Sequence, residues 1–306
     1  MTLPVISKHY LTPPQPRTER LPAWFKISPK TGNGYLKIRR IAGELGLHTV
    51  CEEAQCPNRW ECWNAGTATF MILGEVCTRS CGFCSVTFGK PEPVDDEEPS
   101  RLAEAILTLG VKHAVITSVN RDELENGGAE VFAESIKKIR EKSPDCAIEL
   151  LIPDFQGKRA SLNIVLSAKP NIVGHNIETI PRLYRVVRPQ AKYFRSLQML
   201  SWAKQEGFIT KTGMMVGLGE SMDEILSVIG DLIEIGCDIL TVGQYLQPTQ
   251  KHLPVAHFFH PDEFLVIKEK GEAMGLRHIE AGPLVRSSYH AEKQMKGQRA
   301  LREVSV

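Results

Sequence analysis

Between residues 69 and 283 the chain alternates short apolar runs with longer amphipathic stretches, and few architectures accept that order. The runs are "TFMILGEV" (69–76), "HAVITSV" (113–119), "AIELLIP" (147–153), "NIVGHNIE" (171–178), "TKTGMMVGLG" (210–219), "DILTVGQYL" (238–246) and "RHIEAGP" (277–283). Each is short, rich in β-branched residues and separated from the next by a helical pattern, the mark of βα units sharing a parallel sheet. In "SRLAEAILTLG", Ser100 is expected to cap a helix after Pro99, with the acidic run "DDEEPS" (95–100) as its solvated start. Six to seven such units predict an α/β fold: a partial (β/α)6 TIM-like barrel, complete or somewhat open. Right-handed crossovers then carry every strand's C-terminal end to one face, where active sites of such barrels sit.

The flanks differ from this core. The first 30 residues hold six prolines and little periodicity, which predicts an extended arm. "GNGYLKIRRIAGELGLHTV" has helical spacing and leads into a group of cysteines. The division expected is an N-terminal extension over 1–62, a barrel over 63–280 and a C-terminal segment over 281–306. A formal charge of +1 gives no electrostatic case for nucleic acid or an anionic membrane. There is no secretory h-region and no apolar run long enough to span a bilayer. A cytoplasmic enzyme is therefore expected, and a monomer, since no heptads are present. In that compartment thiols stay reduced, so six cysteines between Cys51 and Cys84 read as metal ligands rather than disulfides.

Those six form two triplets. Cys77, Cys81 and Cys84 have the spacing C-x3-C-x2-C directly after the first barrel strand. Three close thiolates on a strand-end loop suit one face of an iron–sulfur cube and leave one iron open, whereas zinc loops pair cysteines two by two. Cys51, Cys56 and Cys62 form C-x4-C-x5-C, which also lacks a fourth ligand. Cys146 and Cys237 precede strands and belong at the opposite end of the barrel, as small buried hydrophobes. A serine of "GPLVRSSYHA" (282–291) can supply the missing donor. Oxygen is harder than sulfur and suits iron less well, so the resulting cluster would come apart more easily; an ordinary polar cap is the competing role.

With an aromatic residue (Phe83) before its last cysteine, the C-x3-C-x2-C group resembles the signature of the radical S-adenosylmethionine superfamily. C-x4-C-x5-C, then C-x3-C-x2-C, closed by "RSSYHA", resembles the lipoyl synthase family over residues 33–292, together with "TSVNRDEL", "ELLIPDFQG", "GHNIET", "VGLGE" and "TVGQYLQPT". The resemblance implies two [4Fe-4S] clusters and S-adenosylmethionine. Cys77, Cys81 and Cys84 would hold the radical-generating cluster. Cys51, Cys56, Cys62 and Ser288, with Ser287 as the alternative, would hold an auxiliary cluster consumed as sulfur donor, and Arg286 would lie nearby. The implied reaction is radical-mediated insertion of two sulfur atoms at carbons 6 and 8 of an octanoyl chain on a carrier-protein lysine.

The implied partners are octanoylated lipoyl carrier domains (2-oxoacid dehydrogenase subunits and the glycine cleavage H protein), a flavodoxin or ferredoxin, and iron–sulfur assembly proteins. Asn176 and Glu178, two apart in a strand and so on one face, would bond the cofactor ribose, as similar residues do in biotin synthase. Arg195, or Arg188, would hold its carboxylate. Gly217 and Gly219 would admit adenosine, and Arg121 and Asp122 fall on the active face. Biotin synthase is the nearest alternative reading, and a non-catalytic zinc- or cluster-binding interaction protein is the alternative from another class.

Overall fold

The structure is a computed structural model describing residues 21–26, 32–54, 56–64, 67–289 and 291. The expected proline-rich arm and the C-terminal stretch 292–306 thus fall almost wholly outside the described residues. After helix α1 (Asn33–Glu44), a short strand β1 (His48–Thr49) and the small helices α2 (Val50–Glu53) and α3 (Arg59–Asn64), the repeating units begin. They run β2 (Thr69–Ile72), α4 (Glu98–Leu109), β3 (His113–Ser118), α5 (Ala129–Lys142), β4 (Ala147–Leu151), α6 (Arg159–Ser167), β5 (Ile172–Gly174), α7 (Tyr184–Val187), α8 (Tyr193–Gln205), β6 (Ile209–Val216), α9 (Met222–Glu234), β7 (Ile239–Gln244), α10 (Pro261–Met274) and β8 (His278–Gly282).

Strands β2 to β8 pair in sequence order and in parallel, while β1 adds antiparallel to the outer edge of β2. No pairing joins β8 to β2 among the described residues, so the barrel is open at that seam. All seven expected runs are strands. The "RHIEAGP" run extends the parallel sheet to seven strands, and the antiparallel β1 was not anticipated, because two residues carry no periodicity. Inside the barrel, Lys211 of β6 bonds Glu149 of β4 at 2.7 Å, and His113 of β3 bonds the other Glu149 oxygen at 3.1 Å. Burial opposes charge on Glu149, but Lys211 and His113 override it and lower its pKa. Because β4 and β6 are not neighbours, this triad crosses the barrel interior past β5.

Two local readings need correcting. Helix α4 begins at Glu98 rather than Ser100, with Pro99 in its first turn, where a missing N–H costs nothing. Glu98 is also not solvated: it is 4% exposed, and its carboxylate accepts the Leu73 N–H at 2.7 Å. Strand β2 ends at Ile72, because Leu73 and Gly74 turn left-handed (φ 69° and 83°). Glu98 thus secures the turn that feeds the second cysteine loop.

Candidate functional site

The C-terminal ends of β3, β4 and β5 open on a cavity, and the second cysteine loop lies beside it, bonded through Cys77 to Asn120 of its wall. The wall includes Ser118, Asn120, Asp154, His175, Asn176, Glu178 and Arg188. Three of these carry buried atoms without a hydrogen-bond partner: Ser118 Oγ, Asn120 Oδ1 and Arg188 Nε. Orphaned polar atoms of this kind are costly unless a ligand satisfies them, so the cavity fits a polar guest.

The loop of Cys77, Cys81 and Cys84 is held on all sides. Cys77 Sγ accepts backbone N–H groups from Arg79 (3.4 Å) and Asn120 (3.3 Å). Gly82 donates to Val187 O at 2.9 Å and accepts from Leu253 N at 3.0 Å, and His252 Nε2 lies 3.0 Å from Cys84 O. A Cβ at Gly82 would fall 2.9 Å from the Leu253 side chain, so a larger residue here would have to displace that leucine. Burial pushes the thiol of Cys81 up to about 11 and that of Cys84 up to about 12. Metal must therefore displace protons from these thiols as it binds.

Asn176 and Glu178 are brought together, though not by strand periodicity. Strand β5 stops at Gly174 and both residues lie in the loop beyond it. Glu178 takes φ 65°, an uncommon value for a side-chain-bearing residue, stabilised by backbone bonds to Gly213 O and Met215 N. That turn aims its carboxylate at Asn176 Nδ2, 3.1 Å away. Burial raises the Glu178 pKa, against the pull of Arg188.

The two arginines part company. Arg188 lies in the cavity wall, bonding Asn176 O through Nη1 at 2.6 Å. Arg195 instead bonds Asp154 Oδ2 at 3.2 Å and is not among the lining residues. Arg121 is engaged elsewhere, donating to Leu73 O and Glu92 O, and Asp122 takes Arg79. Gly217 and Gly219 turn left-handed after β6 (φ 103° and 108°) and are not in the cavity wall.

Asp154, fully buried, accepts Arg79 Nη2 at 2.6 Å and was not singled out from the sequence. Its place just after β4, on the expected active face, was the available signal. His175 was missed too. Its Nδ1 lies 2.8 Å from Ile152 O, which can only accept, so Nδ1 carries the proton and Nε2 accepts from Ser196 Oγ at 2.9 Å. Burial first, then Arg188, lowers the His175 pKa from 6.5 to about 4. A group that must stay neutral when folded contributes stability above pH 6.5 and loses it as pH falls toward 4. Chemical denaturation should show native protein losing about 1.4 kcal/mol per pH unit over that window relative to His175→Gln. Parallel slopes for the two proteins would refute the assignment.

The first triplet lies at the open seam of the barrel. Cys51 on α2, Cys56 in the following turn and Cys62 on α3 line a small cavity with Asn58, Thr67, Thr69, Arg286, Ser288 and Tyr289. Ser288 is in this wall and Ser287 is not. The C-terminal segment reaches it because β7 offers Gly243: a Cβ there would collide with Val285 O at 2.0 Å. Asn58 Nδ2 then bonds Leu284 O, and Tyr289 Oη sits 3.2 Å from Glu61. His290 of the motif lies outside the described residues.

Burial pushes the Cys51 thiol up to about 11, helped by neighbouring Cys56. Arg286 lies half-buried in this wall with its Nη1 donating to Val285 O at 2.7 Å, and no carboxylate pairs with it among the described residues; desolvation, the largest influence, lowers its pKa, and Cys56 opposes that. A partly desolvated guanidinium with no carboxylate partner favours an anion in the cavity. Three cysteine sulfurs, one hydroxyl and a half-buried cation suit an anionic iron–sulfur cluster. The two cysteine groups are stitched together where Ser85 Oγ donates to Glu53 O at 2.7 Å. Cys146 and Cys237 stay buried and free before β4 and β7.

Residues 71–232 match the radical SAM superfamily, and residues 8–56 match the N-terminal domain of lipoyl synthase of the radical SAM family. A lipoyl synthase of Rubrobacter xylanophilus is 56% identical over 91% of this chain and 87% of its own length. The chain belongs to the lipoyl synthase family. Further members include that of Koribacter versatilis, 55% identical over 89% of this chain and 90% of its own, and a mitochondrial lipoyl synthase of Nematostella vectensis, 48% identical over 92% and 97%. Membership makes it a sulfur-inserting enzyme, and the superfamily implies a four-iron cluster and S-adenosylmethionine. Among solved structures, Streptococcus suis SuiB bound to its precursor peptide (TM-score 0.57, 12% identity, 84% of this chain and 56% of that one) and the [FeFe]-hydrogenase maturase HydG (0.53, 13%, 88% and 65%) share the fold.

Proposed function

We propose that the two cysteine groups hold two [4Fe-4S] clusters, and that the chain uses them to insert sulfur at carbons 6 and 8 of an octanoyl chain carried on a lysine of a lipoyl domain. The observation that carries this reading is the cavity where Cys51, Cys56 and Cys62 meet Ser288 from the far end of the chain. When bound, the clusters and S-adenosylmethionine supply the electron, the hydrogen-abstracting radical and the sulfur, which no side-chain acid or base could provide for an unactivated alkyl C–H. The chain's own share is orientation and exclusion of solvent.

Cys77, Cys81 and Cys84 hold one cluster beside the larger cavity. Asn176 and Glu178 would hydrogen-bond the ribose hydroxyls, and Arg188 would supply a cation for the methionine carboxylate. Arg286 offsets the charge of the auxiliary cluster. Lipoyl-bearing carrier domains are the macromolecular substrate; a flavodoxin or ferredoxin delivers electrons, and assembly proteins rebuild the auxiliary cluster. The setting is the cytosol, where these thiols stay reduced; no described helix is long and apolar enough to cross a membrane.

The test is anaerobic reconstitution followed by S-adenosylmethionine, dithionite and an octanoyl-lysyl peptide. About eight irons per chain are expected, with a peptide that gains two sulfurs by mass spectrometry. About four irons, or cofactor cleavage without sulfur gain, would overturn the two-cluster reading.

A further inference from the structure

We propose that Thr69 is a positioning residue for the auxiliary cluster, orienting the Ser288 oxygen as an iron ligand; the inference rests on the two-cluster reading above. Thr69 opens β2 and is 5% exposed, in the wall of the three-cysteine cavity. Its hydroxyl donates to Ser288 Oγ at 2.8 Å. Cys51 lines the same cavity wall. One residue at the barrel seam therefore bonds the proposed ligand from the C-terminal segment and shares a wall with those from the N-terminal extension.

The register explains why it can. Antiparallel pairing of β1 with β2 sets Thr49 opposite Phe70. The chain leaving β1 toward Cys51 therefore runs beside Thr69. A β-branched side chain at a strand start has restricted χ1, so the hydroxyl is held in one direction. Valine would fill the same space with no polar atom to satisfy. The hydroxyl is justified by its partner, since a buried one without a bond is costly.

The direction of the bond matters as well. A serine oxygen bound to iron has given up its proton and can only accept, whereas Thr69 keeps its proton and donates it. The donated bond fixes where the remaining lone pairs of Ser288 point. Groups that orient metal ligands in this way typically change metal affinity by about 10–100-fold when removed.

The test uses the full chain carrying Cys77→Ala, Cys81→Ala and Cys84→Ala, so that only the auxiliary cluster binds iron. Reconstituted protein is exposed to a ferrous chelator and iron release is followed by absorbance, with Thr69→Val, Thr69→Ser and Ser288→Ala compared. Release should be roughly 10–100-fold faster for Thr69→Val and Ser288→Ala. Their combination should be no faster than Ser288→Ala alone, and Thr69→Ser should stay near the parent.

The inference fails if Thr69→Val releases iron at the parent rate while Ser288→Ala is fast. It fails equally if Thr69→Ser is as fast as Thr69→Val, which would mean that packing by the methyl group is what matters. If Ser288→Ala itself matches the parent, the serine-ligand reading fails first and takes this one with it. Should Thr69→Val not fold, Thr69→Ser combined with Ser288→Ala still decides: a serine hydroxyl acting through Ser288 adds nothing once Ser288 is gone, and any further acceleration overturns the proposal.

Discussion

Replacing Asp154 with alanine should destabilise the protein by about 3–5 kcal/mol, because it leaves the Arg79 guanidinium buried with one partner removed. Both groups are almost wholly out of water: the Arg79 side chain is 3% exposed and that of Asp154 is 0% exposed. Burial works against the Asp154 charge, but Arg79 overrides it and holds the carboxyl well below the usual carboxylate range. Arg195 adds a second contact at 3.2 Å, and Asp122 takes the Arg79 Nε at 2.6 Å. The melting temperature should fall by roughly 5–15 °C.

The same substitution should also loosen iron at the second triplet. Arg79 sits between Cys77 and Cys81, and its backbone N–H donates to Cys77 Sγ. Without Asp154 the guanidinium is held by Asp122 alone, on the more exposed side, and shifts toward it with the loop. Removing both charges, Arg79→Met with Asp154→Leu, should cost less than the sum of the two single changes, since neither charge is then stranded. Additive losses in calorimetry would show that the pair is not a unit.

That network also shows where the sequence was readable. The strands stood out because Val, Ile and Leu cluster in short runs, and the triplets because cysteine spacing survives without knowledge of the fold. Asp154 did not, since one carboxylate after a strand looks like any other until Arg79 is seen arriving from a loop 75 residues away. Thr69 was hidden for a related reason: its partner Ser288 lies 219 residues on, and only the open seam of the barrel brings them within 2.8 Å. Asn176 and Glu178 were paired correctly but for the wrong physical cause, a strand alternation where the chain in fact makes a left-handed turn at Glu178. Between the two serines of "RSSY" the sequence left a choice, and the cavity wall contains one of them.

The choice between Arg188 and Arg195 separates by experiment in the same way. Arg188→Gln should weaken S-adenosylmethionine binding by roughly 10–150-fold, the range for losing a charged hydrogen-bond partner. Its Nε is buried with no partner, its Nη1 is spent on Asn176 O, and its guanidinium lies 5.4 Å from the Tyr184 ring, which fixes its direction toward the cavity. Arg195→Gln should leave binding within about 3-fold and instead lower thermal stability, because the bond it removes is to Asp154 and is half of a pair. Equilibrium binding of the cofactor to each reconstituted variant, read beside its melting temperature, distinguishes them. If Arg195→Gln loses affinity and Arg188→Gln keeps it, the carboxylate is held from the Asp154 side and the cavity wall has been assigned to the wrong arginine.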